Sequence, residues 1–468
     1  MIVRVAGKQP DGAACLVDTF KGREDKRTHP PGAQRSSDMP VVSLAWTWLM
    51  LALAFATGAM ASPADVSRHL DELSKFGANP EGGVSRVAFS DADASGRAYV
   101  RQLMEAAGLS VRVDTAGNII GRREGSDPGL PAIVVGSHTD SVPHGGNYDG
   151  DVGVMGGIEA AQELRDRHVT LRHPLEIVDF TDEEGGLVGS RAMAEGIDPG
   201  GLELVNASGH SVRDGLRILG GNPDALEQAR RHSGEIAAYL ELHIEQGGVL
   251  ERTHTDIGVV EGIVGIHWWE ATVTGMANHA GTTPMDQRHD ALLAASELVL
   301  AVNAAATELP GRQVATVGRI RAEPGAPNVI PGKAVLSIEV RDLDAGRIDA
   351  VFQRIRSKAA AIAQARGVSI EFKDLEATAT PALTDPRIQH VIAGEAQRLG
   401  LKAMVMPSGA GHDAQDIARI APIGMIFVPS VGGISHSPRE YTRPADIDNG
   451  IGVLLRAVQA IDAGALDH

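Results

Sequence analysis

The stretch Ala132-Ile-Val-Val-Gly-Ser-His-Thr-Asp140 decides the fold. Its first residues are an unbroken apolar run, which reads as a strand buried on both faces rather than as one side of a half-wet sheet. The run opens into a Gly-rich loop reaching residue 153, followed by helical periodicity from about Gly153 to Arg167 and a second apolar run at 175–180. Strand, loop, helix and strand in that order predict a parallel sheet. Its loops then gather at the strands' C-terminal ends, where open α/β sheets bind ligands.

The same grammar extends toward the N-terminus, with an amphipathic stretch at Ala94–Ala107 and short apolar runs at 110–114 and 117–121. Near residue 258 it changes. An alternating strand through Trp268–Thr274 is followed by a helix at 286–308, strands at 313–321 and 334–341, a helix at 347–366 and a strand at 368–373. That order, βαββαβ, predicts a ferredoxin-like α+β unit. The α/β pattern then resumes with a helix near 385–399, short strands at 402–406 and 423–428, and a last helix from about Ile447 to Ile461. The expected organisation is an N-terminal extension over 1–61, a first part of the larger domain over 62–257, an inserted unit over 258–375, and a return over 376–468.

The chain has 468 residues and a formal net charge of −17, with 43 Lys+Arg against 60 Asp+Glu. An acidic surface argues against sequence-independent binding to nucleic acid or anionic lipid, because both require a basic face. A small-molecule partner is expected instead. Residues 41–61 carry no charge and end in Ala59-Met60-Ala61, which reads as a secretory signal with a cleavage site near Ala61. A periplasmic or secreted protein is therefore expected, with an uncleaved anchor or a cytoplasmic tail as alternatives. The single cysteine, Cys15, lies upstream of that site, so cleavage leaves none in the mature chain.

Residues able to do chemistry fall at predicted strand ends or loops of the larger domain. His138 ends the deciding strand and Asp140 follows two residues later, a spacing suited to a metal-ligating imidazole beside a carboxylate. Asp149 and Asp151 sit in Gly145-Gly-Asn-Tyr-Asp-Gly-Asp151 at a helix start, where either also serves as an N-cap. Asp182, Glu183 and Glu184 are consecutive carboxylates after an apolar strand. Their mutual repulsion is relieved by cations or by turning into solvent. His243 lies in Leu240-Glu-Leu-His-Ile-Glu-Gln246, and His436 in Gly433-Ile-Ser-His-Ser-Pro438. Each alone suits an ordinary loop or core residue; three histidines with several carboxylates at sheet ends point to a metal site. In the inserted unit, His279 and Asn328 lie in polar loops, and Arg341 ends an alternating strand. Arginine can hold a carboxylate with two parallel hydrogen bonds, and the other two can donate neutral ones.

Taken together, GSHTDSVPHGGNYDGDVGV, DFTDEEG, ELHIEQG, GMANHAGTTPMDQRHDA, PNVIPG, SGAGHDAQD and GMIFVPSVGGISHSP resemble the carbamoylase and allantoate amidohydrolase branch of the aminoacylase/carboxypeptidase-G-type dinuclear metallohydrolases. The likeness runs in order from about residue 65 to 462, and the N-terminal 61 residues fall outside it. It implies a metallopeptidase-like domain with a mostly parallel sheet and an inserted lid that also forms a homodimer, with loops at 258–262 and 374–380 as the lid's hinges. It further implies two divalent ions, zinc or manganese with cobalt or nickel as alternatives. By the same likeness, His138, Asp149 and His243 hold one ion, and Asp149, Glu184 and His436 the other. Glu183 becomes the general base, with Asp140 orienting His138. His279 stabilises the oxyanion. Asn328 and Arg341 clasp the substrate carboxylate, Gln246 meets the ureido group, and the backbone of Gly411 assists. The implied reaction is cleavage of the carbamoyl C–N bond of an N-carbamoyl-L-amino acid. Allantoate and β-ureidopropionate are the alternative substrates, and a secreted, catalytically inactive metal- or solute-binding protein is the alternative of another class. A dinucleotide-binding reading fails, because no G-x-G-x-x-G opens a helix directly after the strand.

Overall fold

The computed structural model describes residues 63–467; the signal-like segment at 41–61 lies outside the described residues. The deciding run forms the strand Ala132–His138, buried at every residue, as is its parallel neighbour Leu175–Phe180. On its other side Ala132–His138 pairs in parallel with Ile236–Ile244, which in turn pairs in parallel with Ile423–Val428. These four strands are the centre of a nine-stranded sheet. Antiparallel pairing enters toward the edges: Ser110–Val113 and Ile119–Arg123 extend one side, and Ile257–Ile263 continues the other, where Ala403–Ser408 joins it in parallel.

Apolar side chains weld this sheet to its helices. Leu242 is fully buried beside the helices Asp151–Asp166 and Pro444–Asp462, close to Gly156 and Gly450, which leave room for it. Truncating such a residue to alanine costs about 2–5 kcal/mol, because the cavity left behind collapses only in part. The layered packing fixes the strand ends, and so fixes the loops that follow them.

The second sheet is wholly antiparallel, in the order Ser369–Ala379, Gly265–Thr274, Lys333–Asp342, Val314–Glu323. Helices Ala291–Thr307 and Ala345–Arg366 contribute Leu298, Val302, Val351 and Ile355 to a core with Trp269, Leu336 and Ile338. Numbering its strands along the chain gives the spatial order 4-1-3-2, the ferredoxin-like arrangement expected from the sequence. The fold is thus α/β with a parallel-centred sheet and a separate antiparallel α+β layer.

One expectation is corrected. The sequence reading places hinge loops at 258–262 and 374–380, but the first lies within the strand Ile257–Ile263, paired with Ile423–Val428 and Ala403–Ser408, and all but the last residue of the second lies within the strand Ser369–Ala379. The apolar residues of Gly258-Val-Val-Glu-Gly262 are buried in the sheet, and the backbone satisfies its hydrogen bonds there. No described helix is long and apolar enough to cross a membrane.

Candidate metal centre

Four loops converge at the C-terminal ends of the parallel strands, and Asp149 is where they meet. His138 Nε2 lies 3.8 Å from Asp149 Oδ1, and His243 Nε2 lies 3.1 Å from the same oxygen. On the opposite side, His436 Nε2 is 3.3 Å from Asp149 Oδ2 and 3.4 Å from Glu184 Oε1. The structure therefore brings together His138–Asp149–His243 and Asp149–Glu184–His436, two of the three groups able to hold an ion among the described residues, with the donor atoms of each within 4.8 Å of one another. Asp149 belongs to both. The third group, Glu241–His243–His412, shares His243.

The imidazoles are set for that task. His138 Nδ1 faces the carbonyl oxygen of Asp140 at 3.0 Å, and His243 Nδ1 faces that of Ile244 at 2.9 Å. A carbonyl only accepts, so each Nδ1 carries a proton and each Nε2 is turned to Asp149. Gly150, with φ of +68°, lets the chain pass the His138 ring; a Cβ there would sit 2.5 Å from Nε2. Three non-glycine residues at this centre also hold a positive φ: Asp182, Gln246 and His436. Such strain is retained where surrounding contacts enforce a working geometry.

The electrostatics call for cations. Burial, then Glu184, Asp413, Asp140 and Asp149, push the Glu183 carboxyl well above the usual range. Burial, with Asp149 next, lifts Glu184 to about 8. Burial opposes charge on His243, but its contact with Asp149 outweighs this and raises the imidazole to about 9. Buried carboxylates this close are stable together only when they hold protons or when bound cations neutralise them. Imidazole nitrogens and carboxylate oxygens at this spacing are the donor set that divalent ions such as zinc or manganese accept.

The other expected site residues divide. Gln246 is at the centre: its Nε2 donates to Asp149 Oδ2 at 2.7 Å. Glu183 is there too, with Oε2 3.7 Å from His138 Nε2. Asp140 lies directly beside His138. Its carbonyl orients His138, while its carboxylate is 3.7 Å from the ring and accepts the backbone N–H groups of Glu183 and Glu184, both at 3.2 Å. Arg341 reaches between the layers: it pairs with Glu339 Oε1 at 2.8 Å and donates to the carbonyl of Gly409 at 2.6 Å, two residues before Gly411. His279 and Asn328 share an exposed loop pair in which Ala280 N–H donates to the Asn328 carbonyl. There His279 Nδ1 accepts from Gly281 and Thr282, and its hydrogen bonds stay inside that loop.

Sequence reasoning missed the residues that hold this frame. Buried Glu440 accepts the backbone N–H of Tyr148 at 2.9 Å and of Asp149 at 3.0 Å on one oxygen. It accepts that of His436 at 3.2 Å on the other, with Ser435 Oγ at 2.8 Å. Arg86, fully buried, donates from one guanidinium nitrogen to both oxygens of Asp151 at 2.6 and 2.8 Å and also donates to the carbonyls of Leu73 and Thr139. Their only signal in the sequence is position, Glu440 four residues beyond His436 and Asp151 two beyond Asp149. Beneath His243, buried Glu241 accepts from Tyr239, Ser137 and Ala414, and His412 packs against the His243 ring with centroids 4.5 Å apart.

A carboxylate shared by two histidine-carboxylate groups, at the loop ends of a parallel α/β sheet, defines the class of two-metal hydrolases. The chain belongs to the peptidase family M20/M25/M40, whose pattern matches residues 134–460. It is 40% identical over 402 residues to an N-carbamoyl-L-amino acid amidohydrolase of Geobacillus stearothermophilus, spanning 85% of this chain and 98% of that protein. It is also 40% identical to a ureidoglycolate hydrolase of Arabidopsis thaliana, covering 83% of this chain and 84% of that one. Among solved structures, an amidase of the hydantoinase/carbamoylase family from Burkholderia multivorans superposes with a TM-score of 0.81 at 36% identity, over 86% of this chain and 98% of the other.

Proposed function

We propose that this protein hydrolyses the carbamoyl C–N bond of N-carbamoyl-L-amino acids, releasing ammonia, carbon dioxide and the amino acid. The observation that carries this reading is the placement of Asp149 between two histidine-carboxylate groups, with Glu183 beside them, in a chain so similar to a carbamoyl amino acid amidohydrolase. His138, Asp149 and His243 would hold one divalent ion, and Asp149, Glu184 and His436 the other. Zinc or manganese suits these donors, as do cobalt and nickel. When bound, such a pair polarises the carbonyl and makes water acidic enough to lose a proton near neutrality.

Glu183 is the base that receives this proton at its carboxylate and returns it to the leaving nitrogen. Its burial and acidic neighbours already make it a strong proton acceptor. Asp140 holds the Glu183 and Glu184 amides, so the base and the adjacent ligand point apart into their separate tasks. Gln246 faces the ureido group, Arg341 holds the carboxylate with the backbone near Gly411, and His279 with Asn328 completes the oxyanion and carboxylate contacts when the inserted unit closes.

A homodimer through the inserted unit has physical support. Val314–Glu323 is an edge strand carrying exposed Val314 and Ile320, and Leu293 and Leu300 are exposed on the helix Ala291–Thr307. An uncovered apolar edge of this kind favours pairing with a second copy. The uncharged segment ending at Ala61 supports export, which mass measurement of the mature N-terminus tests.

The deciding experiment is ammonia release from N-carbamoyl-L-amino acids after chelation and after return of manganese or zinc. Release that disappears with chelation and returns with metal is the expected result. A protein that binds two ions yet releases no ammonia from any carbamoyl or ureido substrate overturns the reading.

A further inference from the structure

The Arg341 guanidinium is held by a neighbour on its own strand. Glu339 and Arg341 stand two residues apart on Lys333–Asp342, on the face opposite Ile338 and Val340, which are buried in the core of the inserted unit. Glu339 Oε1 accepts Arg341 Nε at 2.8 Å and Oε2 accepts Nη2 at 3.2 Å, so a fork meets a fork. On the adjacent strand Gly265–Thr274, Trp268 lies directly across from Glu339, and its indole N–H donates to Oε2. Most surface ion pairs do little. This one is half-buried, two-pronged and anchored from a third side by Trp268. Burial opposes charge on Glu339, but the hydrogen bonds from Arg341 and then Trp268 outweigh it and hold the carboxyl below its ordinary range.

The consequence for Arg341 is orientation. Glu339 takes its Nε and one N–H of Nη2, and the Gly409 carbonyl takes one N–H of Nη1 at 2.6 Å. The N–H groups left over all sit on the two terminal nitrogens, and none remains on Nε. An arginine side chain released from Glu339 would turn about its single bonds and present those groups in many directions. A carboxylate binds such a group well only where its plane and direction are already set, because ordering it at the moment of binding costs affinity.

We propose that Glu339 is a positioning residue for the substrate carboxylate: held by Trp268, it fixes the Arg341 guanidinium so that its terminal N–H groups face the bound substrate. This rests on the amidohydrolase reading above and deepens it by naming the group that sets Arg341 for its task. A carboxylate in the same place that merely competed with the substrate would act in the opposite direction, and the two are separated by the sign of the change in KM.

The test measures KM and kcat for an N-carbamoyl-L-amino acid on the full, metal-loaded chain carrying Glu339→Ala, Glu339→Gln or Trp268→Phe, and Glu339→Ala together with Arg341→Ala. Glu339→Ala is expected to raise KM by roughly tenfold with kcat within about twofold, the split of a lost binding interaction. Glu339→Gln keeps one acceptor and is expected to recover part of that rise; Trp268→Phe keeps the ring, loses the N–H, and is expected to cause a smaller one. In the Arg341→Ala background Glu339→Ala is expected to change nothing further, because a residue that acts through Arg341 has no effect once Arg341 is gone. Thermal melting confirms folding, and Glu339→Gln with Trp268→Phe carries the test where the alanine variant does not fold. An unchanged KM, a lower KM, or a rise of the same size in the Arg341→Ala background overturns the assignment and leaves the amidohydrolase reading standing. No ammonia release by the wild-type chain, with metal bound, overturns the reading beneath it and the assignment with it.

Discussion

The carboxylate of Glu440 accepts the backbone N–H of Asp149 at 3.0 Å, across 291 residues of sequence. The same side chain receives the His436 N–H at 3.2 Å, so one buried group joins the loops carrying the shared carboxylate and the exposed histidine. Neither atom touches a candidate ion, yet the spacing of Asp149 and His436 depends on it.

Glu440→Gln tests that dependence. An amide nitrogen cannot accept a backbone N–H, so the variant leaves at least one of the Tyr148, Asp149 and His436 donors facing another donor. The expected result is a 10- to 100-fold loss of metal affinity, the usual scale for partners that orient ligands, measured by competition with a chelating dye. Unchanged affinity for both ions would remove the positioning role.

Glu183→Gln keeps the size of the side chain but cannot take a proton. Turnover should fall by about 10²- to 10⁴-fold while two ions per chain remain bound, as read by elemental analysis beside initial rates. Retained activity would exclude Glu183 as the base.

Arg341→Ala should raise KM for carboxylated substrates by about 10- to 100-fold with a smaller change in kcat, because a two-pronged grip on the carboxylate is lost. Arg341→Lys should not restore it, since an ammonium cannot reproduce the planar fork that meets Glu339 and Gly409 here. A normal KM in the alanine variant would sink the assignment.

Glu159, buried on the helix Asp151–Asp166, has an oxygen without a hydrogen-bond partner. Burial first, then Asp65, Glu163, Asp166 and Asp448, raise its carboxyl to about 7. The folded state therefore binds a proton more tightly than the unfolded chain, and this group reduces stability as pH rises from about 4.5 to about 7. Glu159→Gln should stabilise the fold at pH 8 by on the order of 1 kcal/mol, read as a higher melting temperature, and give little gain at pH 4. Equal effects at both pH values would refute the cause.

The two halves of the problem were unequally legible. The unbroken run at 132–136 announced a doubly covered strand, and the alternation through Trp268–Thr274 announced the antiparallel layer, because side-chain burial imposes its period directly on local sequence. The hinge expected at 258–262 was misread: glycines beside an apolar pair suit a loop locally, and only pairing with Ile423–Val428 makes them a strand.

By itself, then, the sequence determined the elements and their order, and the clusters in which metal-binding side chains occur, since each is recorded within a few consecutive residues. Tertiary structure alone decided that Asp149 lies between His243 and His436, that the Asp140 carbonyl faces the His138 ring, and that Glu440 joins two loops. Those relationships bind atoms far apart along the chain. Hydrogen bonds and burial act on distance in space, and no local pattern of residue types encodes that distance.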